Sequence, residues 1–130
     1  KKNKIKFTDS IENLVRDIEI LCLALPLNKK TEGIINSELL SKAKNKIVVV
    51  NTSRALIIHQ ESLIKLLKTK KISAYLTDVL EEEPMILNHP LLDFENVIIT
   101  PHIGSRTFQS VQRQGSMAVE NLISGLKKYL

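Results

Sequence analysis

The chain has 130 residues, 43% hydrophobic and 25% charged, the proportions of an ordinary globular domain and not of a disordered, collagen-like or disulfide-rich chain. A formal net charge of +5 invites a nucleic-acid partner, but the lysines are scattered over helix ends and loops, and three Phe, two Tyr and no Trp leave little to stack bases on, so none is expected. No apolar run approaches the roughly 20 residues of a membrane span, and the single cysteine, Cys22, cannot form an internal bridge, so a reducing cytoplasmic compartment is the default expectation.

Asp9 and Ser10 precede Ile11, Leu14, Val15 and Ile18, the spacing of a capped amphipathic helix. Ile20 to Leu25 is a continuous apolar run halted by Pro26, the pattern of a strand buried on both faces, with Cys22 in the core. Ser37 to Ala43 reads as a short helix and Ile47 to Val50 as a second buried strand running into Asn51-Thr52. Gln60 to Lys70 places Leu63, Leu66 and Leu67 on one helical face, and Ala74 to Val79 is a third strand. After an acidic, proline-marked connection, Val97 to Thr100 is a fourth strand stopped by Pro101, and a last helix runs from about Thr107 to Leu126. Strands apolar on both faces and separated by helices predict a parallel sheet with helices on each side, because parallel neighbours need a crossover. The fold class is α/β, and residues 1–130 form one domain or one piece of a domain.

In an open parallel sheet, ligands bind beyond the carboxyl ends of the strands. Arg54, Asp78 and His102 follow three successive strands, each 24 residues from the next, so they should converge on one edge of the sheet. Arg54 offers a planar fork that can grip a carboxylate, which no lysine reproduces. His102 is the natural group for moving a proton near neutral pH. A carboxylate on its other ring nitrogen would fix the tautomer, and Glu83, stiffened by Pro84, is the best placed of the Glu81 to Glu83 triplet. That combination suits reduction of a 2-keto acid or oxidation of a 2-hydroxy acid. His59 and His89 read as loop or cap residues, and no metal site is expected.

Leu25-Pro26-Leu27 with Thr31, Asn51-Thr52-Ser53-Arg54, Asp78 through Pro84, His89-Pro90-Leu91-Leu92 and Asn96 through Ser105 resemble, in order and spacing, the nucleotide-binding domain of the D-isomer-specific 2-hydroxyacid dehydrogenases. The likeness extends from about Phe7 to Leu126. It implies a Rossmann-like sheet of about four strands and NAD as cofactor, with NADP left open. It also implies that Arg54 holds the substrate carboxylate, that Glu83 supports the histidine and that His102 is the acid–base catalyst. Leu25, Pro26 and Thr31 would lie against the dinucleotide, Thr52 and Ser53 beside its nicotinamide, Asp78 facing the nicotinamide amide, and Gly104 where the chain passes close to the cofactor. The chain departs from the family pattern at Ala55, where glycine is usual, and at His59, where an acidic residue is usual.

The family's G-x-G-x-x-G phosphate loop does not occur among the four glycines, Gly33, Gly104, Gly115 and Gly125. The resemblance is therefore to the C-terminal portion of the NAD-binding domain, without the phosphate loop or the substrate domain, and such a piece is expected to be inactive alone. The first strand would then have an open edge that an N-terminal half or a second copy in a dimer covers. The alternative is a non-catalytic nucleotide-sensing or interaction module that keeps the half-fold. Which small 2-keto or 2-hydroxy acid is the substrate cannot be read from these residues.

Overall fold

A computed structural model describes residues 5–129. In chain order they form α1 (Ile11–Arg16), β1 (Ile20–Leu23), α2 (Ser37–Ser41), β2 (Ile47–Asn51), α3 (Gln60–Lys68), β3 (Ile72–Thr77), β4 (Val97–Ile99) and α4 (Phe108–Leu126), with 3₁₀ turns at Ala55–Ile57 and Pro90–Asp93. The helices begin where a side chain can accept one of the unpaired amides of the first turn. Ser10 caps α1 through Asn13, Asn36 caps α2 through Leu39, His59 caps α3 through Ser62 and Thr107 caps α4 through Ser110.

The four strands are parallel and lie in sequential order, β1-β2-β3-β4. Register sorts their side chains into two sets, because alternate residues face opposite sides. One set, with Leu21, Val49 and Tyr75, joins Val15 of α1, Leu40 of α2, and Leu63, Leu66 and Leu67 of α3 in a single aliphatic core. The other, Cys22-Val50-Leu76-Ile98 with Ile20-Val48-Ala74 beside it, is half-buried in its middle and exposed at Ile20, Cys22 and Ile98.

The parallel Rossmann-like α/β reading therefore holds, with corrections in the helical layers, Cys22 and the bounds of β3. α1, α2 and α3 all cover the same face, whereas a helical layer on each side was expected. β1 is buried on one face only, and Cys22 is exposed, not a core residue. α4 buries none of its residues, although Val111, Val119, Leu122 and Ile123 give it an apolar side. β3 also starts and stops two residues earlier than expected. Its end is set by Thr77, whose hydroxyl donates to the Val79 carbonyl at 2.7 Å and accepts the Val79 amide at 3.1 Å, turning the chain out of the sheet so that Asp78 leaves it.

Candidate active site

The site is assembled at the carboxyl ends of the strands. At the end of β2, Asn51 is fully buried; its Oδ1 accepts the Ser53 amide at 3.1 Å and its Nδ2 donates to the Arg54 carbonyl at 3.0 Å. This is a side-chain-closed turn of the kind asparagine makes well. The Ser53 hydroxyl donates to the Leu25 carbonyl and ties the segment after β1 to the same turn. Arg54 emerges extended, with Nη1 donating to the Ser53 carbonyl at 2.7 Å. Ala55 opens a 3₁₀ turn at negative φ, where its methyl is accommodated, so the departure from glycine does not disturb the backbone.

Asp78 stands beyond β3 and organises the chain after β4. Its Oδ1 accepts the Thr100 hydroxyl at 2.5 Å and the Ile103 amide at 3.1 Å, and its Oδ2 accepts the Gly104 amide at 2.9 Å. Desolvation opposes its ionisation, but these three donors and the nearby His102 outweigh it and hold the carboxyl below its ordinary value. Gly104 is constrained by the same carboxylate, since a Cβ there would sit 3.0 Å from Oδ2.

His102 lies in this turn at φ +53°, a left-handed conformation uncommon for a residue with a side chain. Its Nδ1 is 2.7 Å from Glu83 Oε2, while Glu83 Oε1 accepts the Leu80 amide at 3.0 Å. The Leu80 amide first, then His102, hold the Glu83 carboxyl below its ordinary value. An ionised Glu83 places the ring proton on Nδ1 and leaves Nε2 as the working nitrogen. Both side chains are about a third exposed, so the pair is open to a ligand.

Arg54, Asp78, His102 and Gly104 line one cavity of about 720 Å³ together with Thr52 and Thr100. A second cavity, of about 500 Å³, shares Thr52 and Arg54 and is walled by Leu25, Pro26 and Ser53. The structure thus gathers the residues singled out in the sequence, with two exceptions: Glu83, which lines neither cavity and meets the site through His102, and Thr31. Thr31 lines neither cavity; its hydroxyl donates to the Pro26 carbonyl at 2.7 Å and accepts the Asn28 amide at 2.9 Å, closing the loop that presents Leu25 and Pro26. Asn51 and Thr100 carry positioning work that sequence reasoning missed. The signal for Asn51 was its place as the one amide terminating an aliphatic strand.

Polar groups converging beyond the carboxyl ends of a parallel sheet mark the ligand site of an open α/β domain. This chain belongs to the D-isomer specific 2-hydroxyacid dehydrogenase family, matching its NAD binding domain over residues 1–104. It is 40% identical over 123 residues to a glyoxylate reductase of Thermofilum pendens, covering 95% of this chain and 36% of that protein. It is 35% identical over 117 residues to glyoxylate/hydroxypyruvate reductase B of Yersinia pestis, covering 90% and 36%. A glyoxylate reductase structure from Paecilomyes thermophila superposes with a TM-score of 0.77 at 31% identity, over 92% of this chain and 36% of that one. The chain spans about a third of the length of the curated relatives it matches.

NAD is the family's cofactor, and the cavity lining fits a polar part of it: a carboxylate, three threonines and a turn at Gly104 that a Cβ would crowd. The fit does not extend to a phosphate cradle. Gly33 occupies a left-handed turn before α2, Gly104 packs on Asp78, and Gly115 and Gly125 lie within α4. Among the described residues no group of three His, Cys, Asp or Glu side chains is placed to hold a metal, and no helix is long and apolar enough to cross a membrane.

Proposed function

We propose that this chain supplies the catalytic part of an NAD-dependent oxidoreductase that interconverts a small 2-oxo acid and its D-2-hydroxy acid, in the manner of a glyoxylate or hydroxypyruvate reductase. The supporting observation is the contact of His102 with Glu83 at 2.7 Å, with His102 itself on the wall of the cavity that also carries Arg54. In this reading Arg54 binds the substrate carboxylate through its guanidinium fork. His102 donates from Nε2 to the carbonyl oxygen during reduction and takes the hydroxyl proton back during oxidation. Glu83 holds the ring by Nδ1 and stabilises its charged form, and Asp78 keeps the 100–104 turn in place. NADH, when bound, supplies the hydride that converts the 2-oxo carbon to the hydroxy-bearing one. A module that only sensed nucleotide would have no use for a histidine–carboxylate pair beside an arginine fork.

The phosphate contacts, the second layer of the sheet and the cover on the open edge of β1 belong, in this proposal, to the remainder of a longer, dimeric cytoplasmic enzyme. The test is NADH oxidation by the full-length enzyme that contains this chain, in the presence of glyoxylate or hydroxypyruvate. His102→Ala should lower kcat by about 10²–10⁴-fold, the usual worth of a positioned acid–base group. Arg54→Lys should instead raise KM, because a point charge replaces a fork. Unchanged turnover in His102→Ala would remove the assigned role.

A further inference from the structure

The proposed mechanism leaves one polar pair unused, a buried histidine facing a partly buried glutamate. Glu81 Oε2 is buried and has no hydrogen-bond partner among the described residues. Facing it at 3.7 Å is Nε2 of His89, a side chain only 4% exposed. The other ring nitrogen, Nδ1, accepts the Leu91 amide at 3.2 Å and so caps the 3₁₀ turn at Pro90–Asp93. With Nδ1 taken as an acceptor, the neutral ring carries its proton on Nε2, aimed at Glu81. At 3.7 Å the approach is longer than a hydrogen bond, and a shift of well under an ångström closes it.

These two residues stand at the ends of a segment that little else holds. Every residue from Glu82 to Asn88 is exposed. Glu83 lies within it, its side chain held among the described residues by the Leu80 amide and by His102 itself. We propose that Glu81 and His89 are positioning residues whose carboxylate–imidazole pair clamps the two ends of the 82–88 segment and so sets Glu83 against His102. The catalytic consequence rests on the acid–base role proposed for His102; the geometric claim does not.

The nitrogen-15 spectrum of the histidine rings reads the geometry directly. The wild-type chain should show His89 as the Nε2–H tautomer and His102 with a slowly exchanging Nδ1–H bound to Glu83. Glu81→Leu should leave the chain folded, by dispersed amide signals, while the His102 Nδ1–H signal is lost to exchange. Two replacements of His89 separate clamping from capping. His89→Gln keeps a donor near the Nε2 position, and His89→Asn keeps an acceptor near the Nδ1 position. The clamp predicts that His89→Gln retains the His102 signal and His89→Asn loses it, so this pair decides the matter even if Glu81→Leu fails to fold. In the active enzyme, His89→Asn should lower kcat by about tenfold or more at nearly unchanged KM, as loss of a histidine's outer support does elsewhere. A His102 signal that survives in both Glu81→Leu and His89→Asn, or that follows the cap and not the donor, overturns the clamp. Normal turnover in His102→Ala with the signals behaving as described would instead overturn the acid–base role and leave the clamp standing.

Discussion

At position 104 the surroundings, and not the backbone angle, demand the smallest residue. Gly104 has no left-handed φ, yet an added methyl would meet Asp78 Oδ2 at 3.0 Å, closer than such atoms comfortably approach. The oxygen it would displace is the one that accepts the Gly104 amide, so the clash and the lost hydrogen bond fall on the same atom. Gly104→Ala should cost about 1 kcal/mol of stability, the typical size of a single-substitution effect. In an Asp78→Ala background the methyl has room, and most of that cost should vanish. Urea unfolding of the two single variants and the double variant measures this coupling. Strictly additive changes would show that the carboxylate is not what excludes a side chain at 104.

Among the elements, α3 and α4 have similar amphipathic sequences and opposite fates. α3 drives Leu63, Leu66 and Leu67 into the core, while Leu122 of α4 is 63% exposed. Leu67→Ala should therefore destabilise this chain by about 2–5 kcal/mol, the range for opening a cavity in an aliphatic core. Leu122→Ala should change it by no more than about 0.5 kcal/mol, as a surface substitution does. Chemical denaturation of the 130-residue chain distinguishes them, and a large loss at Leu122 would mean that α4 is packed. The same contrast explains what was legible in the sequence. A cap and periodicity announced α1, periodicity announced α3, apolar runs announced each strand, and the spacing of Arg54, Asp78 and His102 announced their meeting. An apolar face looks the same in sequence whether or not anything covers it, so the bare side of the sheet and the exposure of Cys22 were not legible. His89 reads as a loop or cap residue, and it caps a 3₁₀ turn; its burial against Glu81 depends on tertiary folding of an otherwise exposed loop and leaves no local mark.

For the molecule as a whole, acid should act on the fold and on the site together. Among the described residues four carboxyls lie below their ordinary values. Glu12 and Asp17 are held there chiefly by hydrogen bonds from Lys42 and Lys44, Glu83 by the Leu80 amide and His102, and Asp78 by Thr100, Gly104 and Ile103 against the opposing effect of desolvation. A carboxyl with a depressed folded-state pKa binds its proton less readily when folded than when unfolded. Its stabilising contribution is complete above the unfolded value, about 4, and disappears as pH falls through the lower folded value. Neutralising carboxylates also raises a net charge that is already +5 at pH 7, so self-repulsion adds in the same direction. Stability should thus be nearly level from about pH 5 to 7 and fall steadily below that. Replacing Asp78 by Asn and Glu83 by Gln removes two of the four groups, one holding the 100–104 turn and one holding His102. The double variant should start less stable at pH 7 and lose less on acidification than the parent. Urea midpoints across the pH series test this, and an equally steep acid limb in the variant would assign the loss to net charge and the lysine-paired carboxylates, not to the site.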